Sequence, residues 1–371
     1  MKRIFKYALL LTTAASLTGC AFVPKQKNNS TSGAEDKQTS KSVSSNGQVE
    51  ITIKDGEYIL PSEGSSDSKY LALSLEFKNK TNKKLNISST DISLYDSKDE
   101  KVEPERVYSD SDKFKTLSYN DLAKGKTISG YVVFEVDKDQ KYELHYSPAS
   151  YTTEDEVKEV HLKVDPSKYT DDVDEIKNVA SEYVNAVFLG GEASGKDAKK
   201  SDKKKDGVPL GNDLEKSKTE FRTKFAETFK RRLYNYPFTE EETNAFIDAY
   251  IKANAKRANI TYTVKEYFPD HAVVVVQPEV IGLKGITRDY LSNFYNQHRS
   301  EYGSLSDAYK AADKALVDET TASLDSRPLA TSESISREGY KMKLVRKDGK
   351  WIVETQDYGY GSFMTVFMGD F

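Results

Sequence analysis

The hydrophobic pattern of the chain changes its period near residue 165. Over residues 49–164 apolar and polar residues alternate, most clearly at 70–77, and this period of two is typical of half-buried strands. From Val173 onward apolar residues recur at spacings of three and four, which is the period of amphipathic helices. We therefore expect a strand-rich part, followed by a part in which helices and strands mix.

The first part has about seven short apolar segments, which are separated by clusters of Asn, Asp, Gly and Lys. Segments of this length and spacing predict an all-β sandwich over residues 48–165. The strands are expected at 49–53, 70–77, 85–88, 92–95, 128–136, 142–146 and 157–164.

Three runs of this first part resemble a known family. They are KYLALSLEFKNKTNKKLNI, DISLYD and LAKGKTISGYVVFEVDKDQKYELHYSP. Together they resemble the immunoglobulin-like (telokin-like) extracellular domain of unknown function found on Gram-positive surface lipoproteins, over about residues 47–165. The resemblance implies an immunoglobulin-like sandwich, a surface location and a role in contacts. It also implies that Asn79 and Gly125 are turn residues and that Phe134 is in the core, and it supplies no catalytic residue.

The second part, residues 168–371, is predicted to be an α+β domain in which helices precede an antiparallel sheet. Thr239-Glu240-Glu241-Glu242 has the pattern of a capping box, and Asp348-Gly349 between alternating runs indicates a hairpin. The tail from Tyr358 to Phe363 is expected to be a strand edge and core; rings that stack on sugars or on a partner are the alternative. Helices are predicted at 173–187, 214–233, 240–256 and 286–326, the last interrupted at Gly303, and strands at 260–268, 271–281, 340–345 and 351–353.

The order of elements and the DGKW hairpin of this second part resemble the cone-shaped α+β fold of the nuclear-transport-factor-like superfamily. The same half also resembles the C-terminal domain of unknown function of Gram-positive lipoproteins. Such cones often hold a pocket, so a small-ligand receptor or an enzyme that uses a C-terminal pocket is the alternative function. The fold itself implies no chemistry.

The N-terminus has the pattern of a lipoprotein signal peptide over residues 1–19. Three basic residues precede an apolar stretch at 7–17, which is too short to cross a hydrocarbon core of about 30 Å. Leu17, Thr18, Gly19 and Cys20 then resemble the bacterial lipobox, which implies lipidation of Cys20 and cleavage before it. A lone buried cysteine is the alternative, and a single cysteine also excludes an intramolecular disulfide.

Residues 20–47 are polar and rich in Ser, Asn, Lys and Thr, which predicts a disordered tether behind the lipid anchor. A flexible chain of this length has a reach of roughly 25–30 Å. We expect a protein anchored by lipid at the extracellular face of the cell membrane, with another envelope protein or a cell-wall polymer as a further partner. The balance of 55 basic against 59 acidic residues gives no general attraction to nucleic acid.

Two basic features remain as candidates for anion binding. The first is the lysine-rich segment 195–212, which is predicted to be a mobile loop; a solvated linker is the simpler interpretation. The second is a patch on the helix predicted at 214–233, for which the alternative is an ordinary amphipathic helix with bases along its flanks. The patch consists of Arg222, Lys224, Lys230, Arg231 and Arg232.

The chain offers few candidates for catalysis. Its histidines, His145, His161, His271 and His298, are scattered and have no zinc-ligand spacing, so we expect no metal site and no cofactor. The segment 66–69 matches the S-x-x-K pattern in spacing only. We therefore expect no catalytic residues and a non-enzymatic binding or scaffold module at the cell envelope.

Overall fold

The structure of the protein, a computed structural model, describes residues 42–109, 111, 113–147, 158–191 and 209–371. The signal sequence, the lipobox and residues 20–41 of the predicted tether lie outside these residues, as do residues 195–208 of the predicted lysine-rich loop. From residue 42 onward the described residues belong to one compact unit. No helix in the described ranges has the length and apolar character needed to span a bilayer.

The first part is rich in strands, as predicted. Four antiparallel strands form one sheet in the order β1-β2-β3-β8, four form a second in the order β10-β9-β5-β6, and β4 pairs with β7. The strands are β1 (Ser42–Ser45), β2 (Val49–Ile59), β3 (Tyr70–Asn79), β4 (Leu85–Ile87), β5 (Ile92–Tyr95), β6 (Lys101–Val102), β7 (Asn120–Leu122), β8 (Thr127–Glu135), β9 (Tyr142–Tyr146) and β10 (Val160–Val164).

The alternating apolar residues of both sheets form a single hydrophobic cluster. Leu73 and Phe134 from the first sheet and Leu94 and Leu144 from the second are all fully buried in it. The prediction of half-buried strands is therefore confirmed. One face of each strand is buried in the core, and the other face meets solvent or another part of the chain.

Strand β1 corrects the predicted extent of the tether. Residues 42–45 were expected to be disordered, but they pair with β2 in an antiparallel register that places Ser42 opposite Ile53. Val43 is 59% exposed, so β1 is held by main-chain hydrogen bonds to β2 and not by burial of side chains. A prediction from apolar content cannot detect a strand of this kind.

Asn79 is the turn residue that the sequence predicted, and the structure shows why an amide is needed there. It is fully buried, and its Nδ2 donates to the carbonyl oxygens of Lys83 (2.8 Å) and Leu122 (2.9 Å). Its Oδ1 accepts from the backbone N–H of Thr81 (2.8 Å) and from the Thr81 hydroxyl (2.7 Å). All four hydrogen-bonding positions of the amide are therefore filled.

The second part combines six helices with one sheet among its described residues. The sheet order is β11-β12-β14-β15, and β13 also pairs with β12. The elements are α1 (Ile176–Phe188), α2 (Leu214–Arg232), α3 (Glu240–Arg257), β11 (Asn259–Tyr267), β12 (His271–Ile281), α4 (Ile286–His298), α5 (Leu305–Ser323), β13 (Leu329–Thr331), β14 (Tyr340–Lys347), β15 (Lys350–Val353) and α6 (Tyr360–Val366).

The local signals for this part act as predicted. Thr239 Oγ1 accepts from Glu242 N–H (3.1 Å), and Glu242 Oε2 accepts from Thr239 N–H (3.0 Å), which completes the capping box at the start of α3. Asp348 and Gly349 have φ values of 50° and 76°, the left-handed pair that a tight hairpin between β14 and β15 requires.

The lysine-rich loop was predicted to extend too far. Gly211 N–H donates to the Trp351 carbonyl oxygen (2.7 Å), and Asn212 Oδ1 accepts from Val353 N–H (2.8 Å). Residues 209–212 thus lie along β15. The composition of the segment hid this, because the contact is made through the main chain and one amide.

Aromatic side chains fill the interior of the second part. Phe188 stacks on Phe367 with ring centroids 4.5 Å apart, and Phe363 meets both rings edge-on. Phe363 belongs to α6, so the prediction of a strand at the tail is wrong; Tyr360 and Phe363 are buried as predicted, whereas Tyr358 is exposed. The rings of this cluster are Phe188, Phe221, Phe225, Phe229, Phe246, Tyr250, Phe363, Phe367 and Phe371.

Candidate functional site

The two parts of the chain meet through main-chain hydrogen bonds, which we call the junction. Leu60 N–H donates to the Tyr267 carbonyl oxygen (2.9 Å), and Tyr267 N–H donates to that of Leu60 (2.8 Å), so the end of β2 pairs with the end of β11. Tyr58 N–H also donates to the Thr170 carbonyl oxygen (3.0 Å). Residues from both parts belong to the same hydrophobic cluster, which makes the junction a continuous core.

A small cleft opens at the junction and has a volume of about 200 Å³. Ligand pockets are usually about 300–1,000 Å³, so the cleft is below the size that a metabolite of ordinary size needs. Its walls come from both parts of the chain. They include Ile59, Ser66 and Lys69 from the first part and Val173, Lys177 and Tyr262 from the second.

The S-x-x-K residues line this cleft but are not arranged for catalysis. Lys69 Nζ lies 2.9 Å from Asp171 Oδ2, which also accepts from Lys138 Nζ at 3.2 Å. Burial opposes ionisation of Asp171, but the hydrogen bonds from the two lysines hold its pKa below the usual range. Lys69 is therefore paired with the Asp171 carboxylate, which is not the contact that a serine–lysine enzyme requires.

Glu57 is a carboxyl group at the junction with a strongly raised pKa. Burial, followed by the negative charge of Asp55, raises its pKa to about 7, and Arg346 opposes this shift. Asp270 and Asp172 add further negative charge near it. Glu57 thus changes its charge near neutral pH.

His271 is a further titratable group at the junction. Its Nε2 lies 3.0 Å from Glu266 Oε1 and its Nδ1 lies 2.8 Å from Asp270 Oδ1. The hydrogen bond to Glu266 raises the pKa of His271. Burial lowers this pKa, but the hydrogen bond to Asp270 adds to the rise, and the net result is a raised pKa. Ser111 Oγ donates to Asp270 and not to the imidazole, so the group is not a nucleophilic triad.

The predicted anion-binding bases are placed on α2 but do not converge. Arg222 forms an ion pair with Asp248, at 2.7 Å. Lys230, Arg231 and Arg232 lie in the last turn, where they complement the partial negative charge of the helix end. Arg222 and Arg231 are nine residues apart, or about two and a half turns, so they lie on opposite sides of the helix. Lys224 is exposed, and anion binding by these bases stays a prediction.

Two of the predicted scattered histidines are in fact neighbours. The antiparallel pairing of β9 and β10 places His161 directly opposite His145. One ligand atom from each of these residues and from Glu143 lies within 4.8 Å of the others, so the three side chains could hold a metal ion. A search for helical ligand spacing misses this set, because it forms across two strands. His298, by contrast, lies at the end of α4 and contacts Glu301 (3.0 Å).

The lipidation residues lie outside the described part of the chain. Lipidation of Cys20, and the lipobox formed by Leu17, Thr18 and Gly19, therefore stay predictions from the sequence.

The fold defines a class of two-part proteins, in which a strand-rich part and a helix-and-sheet part share a continuous hydrophobic core. The chain belongs to the family of the domain of unknown function DUF5105, whose sequence model matches residues 167–368. The model of a second domain of unknown function, DUF4352, matches residues 32–157. The predicted resemblance to lipoproteins that carry two domains of unknown function is confirmed.

One curated relative is the uncharacterized lipoprotein YcdA of Bacillus subtilis (strain 168). The chain is 28% identical to it over 198 residues, which cover 50% of this chain and 51% of that protein. The chain thus spans about half the length of this curated relative. The crystal structure of YcdA matches with a TM-score of 0.61 at 20% identity, and covers 88% of this chain and 98% of that chain. This likeness shows a shared fold.

Proposed function

We propose that the protein is a lipid-anchored lipoprotein at the extracellular face of the cell membrane, and that its body is a non-catalytic binding or scaffold module. The anchor is the diacylated Cys20. Two observations support it: the sequence Leu17-Thr18-Gly19-Cys20 closes the apolar stretch, and the relative YcdA is named a lipoprotein. Two or three acyl chains, at about 0.8 kcal/mol per buried methylene, hold a protein durably at a bilayer.

The proposed folds of the two parts suit a binding module. Two four-stranded sheets around one core support an immunoglobulin-like sandwich for the first part. Helices α1 and α3 packed on the sheet of the second part support a cone of the nuclear-transport-factor-like kind. Both are architectures that present surfaces to partners in many proteins, without a chemistry of their own.

The observation that supports a binding module best is the packed interior of the second part. Phe188 and Phe363 are fully buried and belong to an aromatic cluster in the interior of this part. The titratable groups of the junction are also tied to one another: Lys69 to Asp171, and His271 to two carboxylates. A protein built in this way recognises partners through its surface.

The alternative, a small-ligand receptor or an enzyme, rests on one observation. Glu57, with a pKa of about 7, lies at the junction, and perturbed carboxyl groups are frequent at functional sites. A ligand of this kind would have to bind beside Glu57.

The proposal is tested by crosslinking in cells followed by mass spectrometry, with the lipidated protein compared with a Cys20→Ala variant. We expect one discrete envelope partner that is captured only when the protein is anchored. Capture of no protein by either form would contradict the scaffold role and would favour the receptor. Metabolic labelling with an alkyne fatty acid checks the anchor, because Cys20 is the one cysteine of the chain and Cys20→Ala must lose the label.

A further inference from the structure

The outer face of the β9–β10 pair has an unusual combination of side chains. His145 and His161 are cross-strand partners, and their rings stack with centroids 3.9 Å apart and planes at 24°. Inward-pointing neighbours such as Leu144 and Leu162 are buried in the core, so the two imidazoles project from the opposite face. Their side chains are 20% and 42% exposed, which leaves the pair open to solvent.

Glu143 brings a carboxylate to both rings. Its Oε1 lies 3.5 Å from His161 Nδ1, and its Oε2 lies 3.6 Å from His145 Nε2. Zinc binds imidazole nitrogen and carboxylate oxygen at about 2.0–2.2 Å, which places neighbouring ligands of a tetrahedral site about 3.4 Å apart. Both separations are close to that edge length, one to each carboxylate oxygen, so rotation of the carboxylate and of the two rings would bring the three groups onto one ion.

Glu159 supplies the outer support that such a site needs. Its Oε2 lies 3.1 Å from His161 Nε2, the ring nitrogen that faces away from Glu143. A metal-bound histidine usually donates its second N–H to a carboxylate, which fixes the tautomer and orients the ring. Ser147 Oγ donates to Glu159 Oε1 (2.8 Å), which holds the carboxylate in this position.

Tyr95 on β5 fixes the other histidine. Its ring packs on His145 with centroids 4.5 Å apart, and its strand lies next to β9 on the same sheet. Both imidazoles are therefore positioned before any ion arrives. This lowers the entropy cost of assembling the ligands.

We propose that Glu143, His145 and His161 form a binding site for a divalent transition-metal ion, with Zn²⁺ as the ion that fits best. Two imidazoles and one carboxylate suit zinc and its neighbours, whereas Ca²⁺ and Mg²⁺ prefer sites made of oxygen ligands. His161 binds through Nδ1 and His145 through Nε2. The fourth position faces solvent and accepts water or a ligand from another molecule. The site is independent of the lipid anchor and of the proposed scaffold role.

The test is a titration of the full chain with Zn²⁺ in competition with a chromophoric chelator. The chain should carry Cys20→Ala, so that no thiol competes, and it should be purified without a histidine tag. We expect one ion per chain. His145→Ala and His161→Ala should each weaken binding by at least about 10–100-fold, and Glu159→Gln should weaken it by about 10-fold while all three ligands remain.

His298→Ala is the matched control, because His298 is also an exposed histidine beside a glutamate. It should bind Zn²⁺ as the parent chain does. Circular dichroism of each variant verifies that the fold is kept, since the replaced side chains are partly exposed. Absence of binding below millimolar Zn²⁺, or equal binding by the His145→Ala/His161→Ala double variant and the parent, would overturn the proposal.

Discussion

Phe114 packs edge-on against Phe268, with ring centroids 4.9 Å apart, and so connects the strand-rich part to the β11–β12 hairpin of the second part. Phe114 also stacks on Tyr131 of β8 at 4.4 Å. A ring held from both sides couples the two parts energetically, because neither can unfold without exposing it. The domain boundary suggested by the change of hydrophobic period therefore does not separate two independent cores.

Phe114→Ala should lower the free energy of unfolding by about 3–5 kcal/mol, because Phe114 is 2% exposed and its loss leaves a cavity. The measurement is urea unfolding followed by Trp351 fluorescence and by circular dichroism. Trp351 is the one tryptophan and is buried in the second part, so it reports on the half that does not contain Phe114.

The two probes should give coincident transitions in the parent chain, and Phe114→Ala should shift both. Tyr119→Ala is the control, since Tyr119 is 66% exposed and its removal should leave both transitions in place. A shift seen by circular dichroism alone would mean that the two parts unfold independently.

The elements that the sequence predicts well are those encoded by neighbouring residues. The capping box at Thr239 and the Asp348-Gly349 hairpin each depend on a few adjacent side chains, and both form as expected. What could not be predicted depends on pairing between distant segments. Ser42–Ser45 becomes a strand only because β2 offers it a free edge.

The candidate sites also depend on pairing between distant segments. His145 and His161 are sixteen positions apart in sequence, and only the register of β9 against β10 brings their rings together. The pKa of Glu57 likewise depends on burial beside residues from a distant part of the chain. The sequence shows which residue types are present but not which residues face each other across two strands. For that reason the sequence predicts scattered histidines and no metal site.

Asn79→Ala should destabilise the protein by about 2–4 kcal/mol. The change removes an amide that fills four hydrogen-bonding positions, and it leaves buried carbonyl groups such as that of Leu122 without a donor. Thermal unfolding measures the effect. Asn82→Ala replaces an exposed asparagine nearby and should change the stability by less than about 0.5 kcal/mol. Equal effects of the two variants would mean that the turn does not depend on the Asn79 amide.

His271→Gln should be more harmful in mild acid than in base. The hydrogen bonds to Glu266 and Asp270 raise the pKa of His271, so the stability it contributes is fully present below its unfolded pKa and is lost as the pH rises through the folded value. Urea unfolding should therefore show a larger loss of stability at about pH 6 than at about pH 9. His298→Gln is the control, and a loss that is the same at both pH values would contradict the charged state of His271.

Glu57 should make the junction sensitive to pH in the same direction but for a different reason. Its pKa rises from about 4.5 in the unfolded chain to about 7 in the folded one, because burial favours the neutral acid. The folded state then holds a proton that the unfolded state has released between these two values. The free energy of unfolding must therefore fall as the pH rises from about 4.5 to about 7, by up to about 3 kcal/mol.

Glu57→Gln should remove this part of the pH dependence, because glutamine keeps the shape of the protonated acid and cannot ionise. At about pH 8 the variant should be more stable than the parent by about 1–3 kcal/mol, and at about pH 4.5 the two should be nearly equal. Urea unfolding across this range measures the difference, which cancels the contribution of His271 because both chains carry it. Glu63→Gln, at an exposed position, should follow the parent curve. A Glu57→Gln curve parallel to that of the parent would show that Glu57 has the same pKa in the folded and unfolded chains, and would remove the one observation that favours a receptor at the junction.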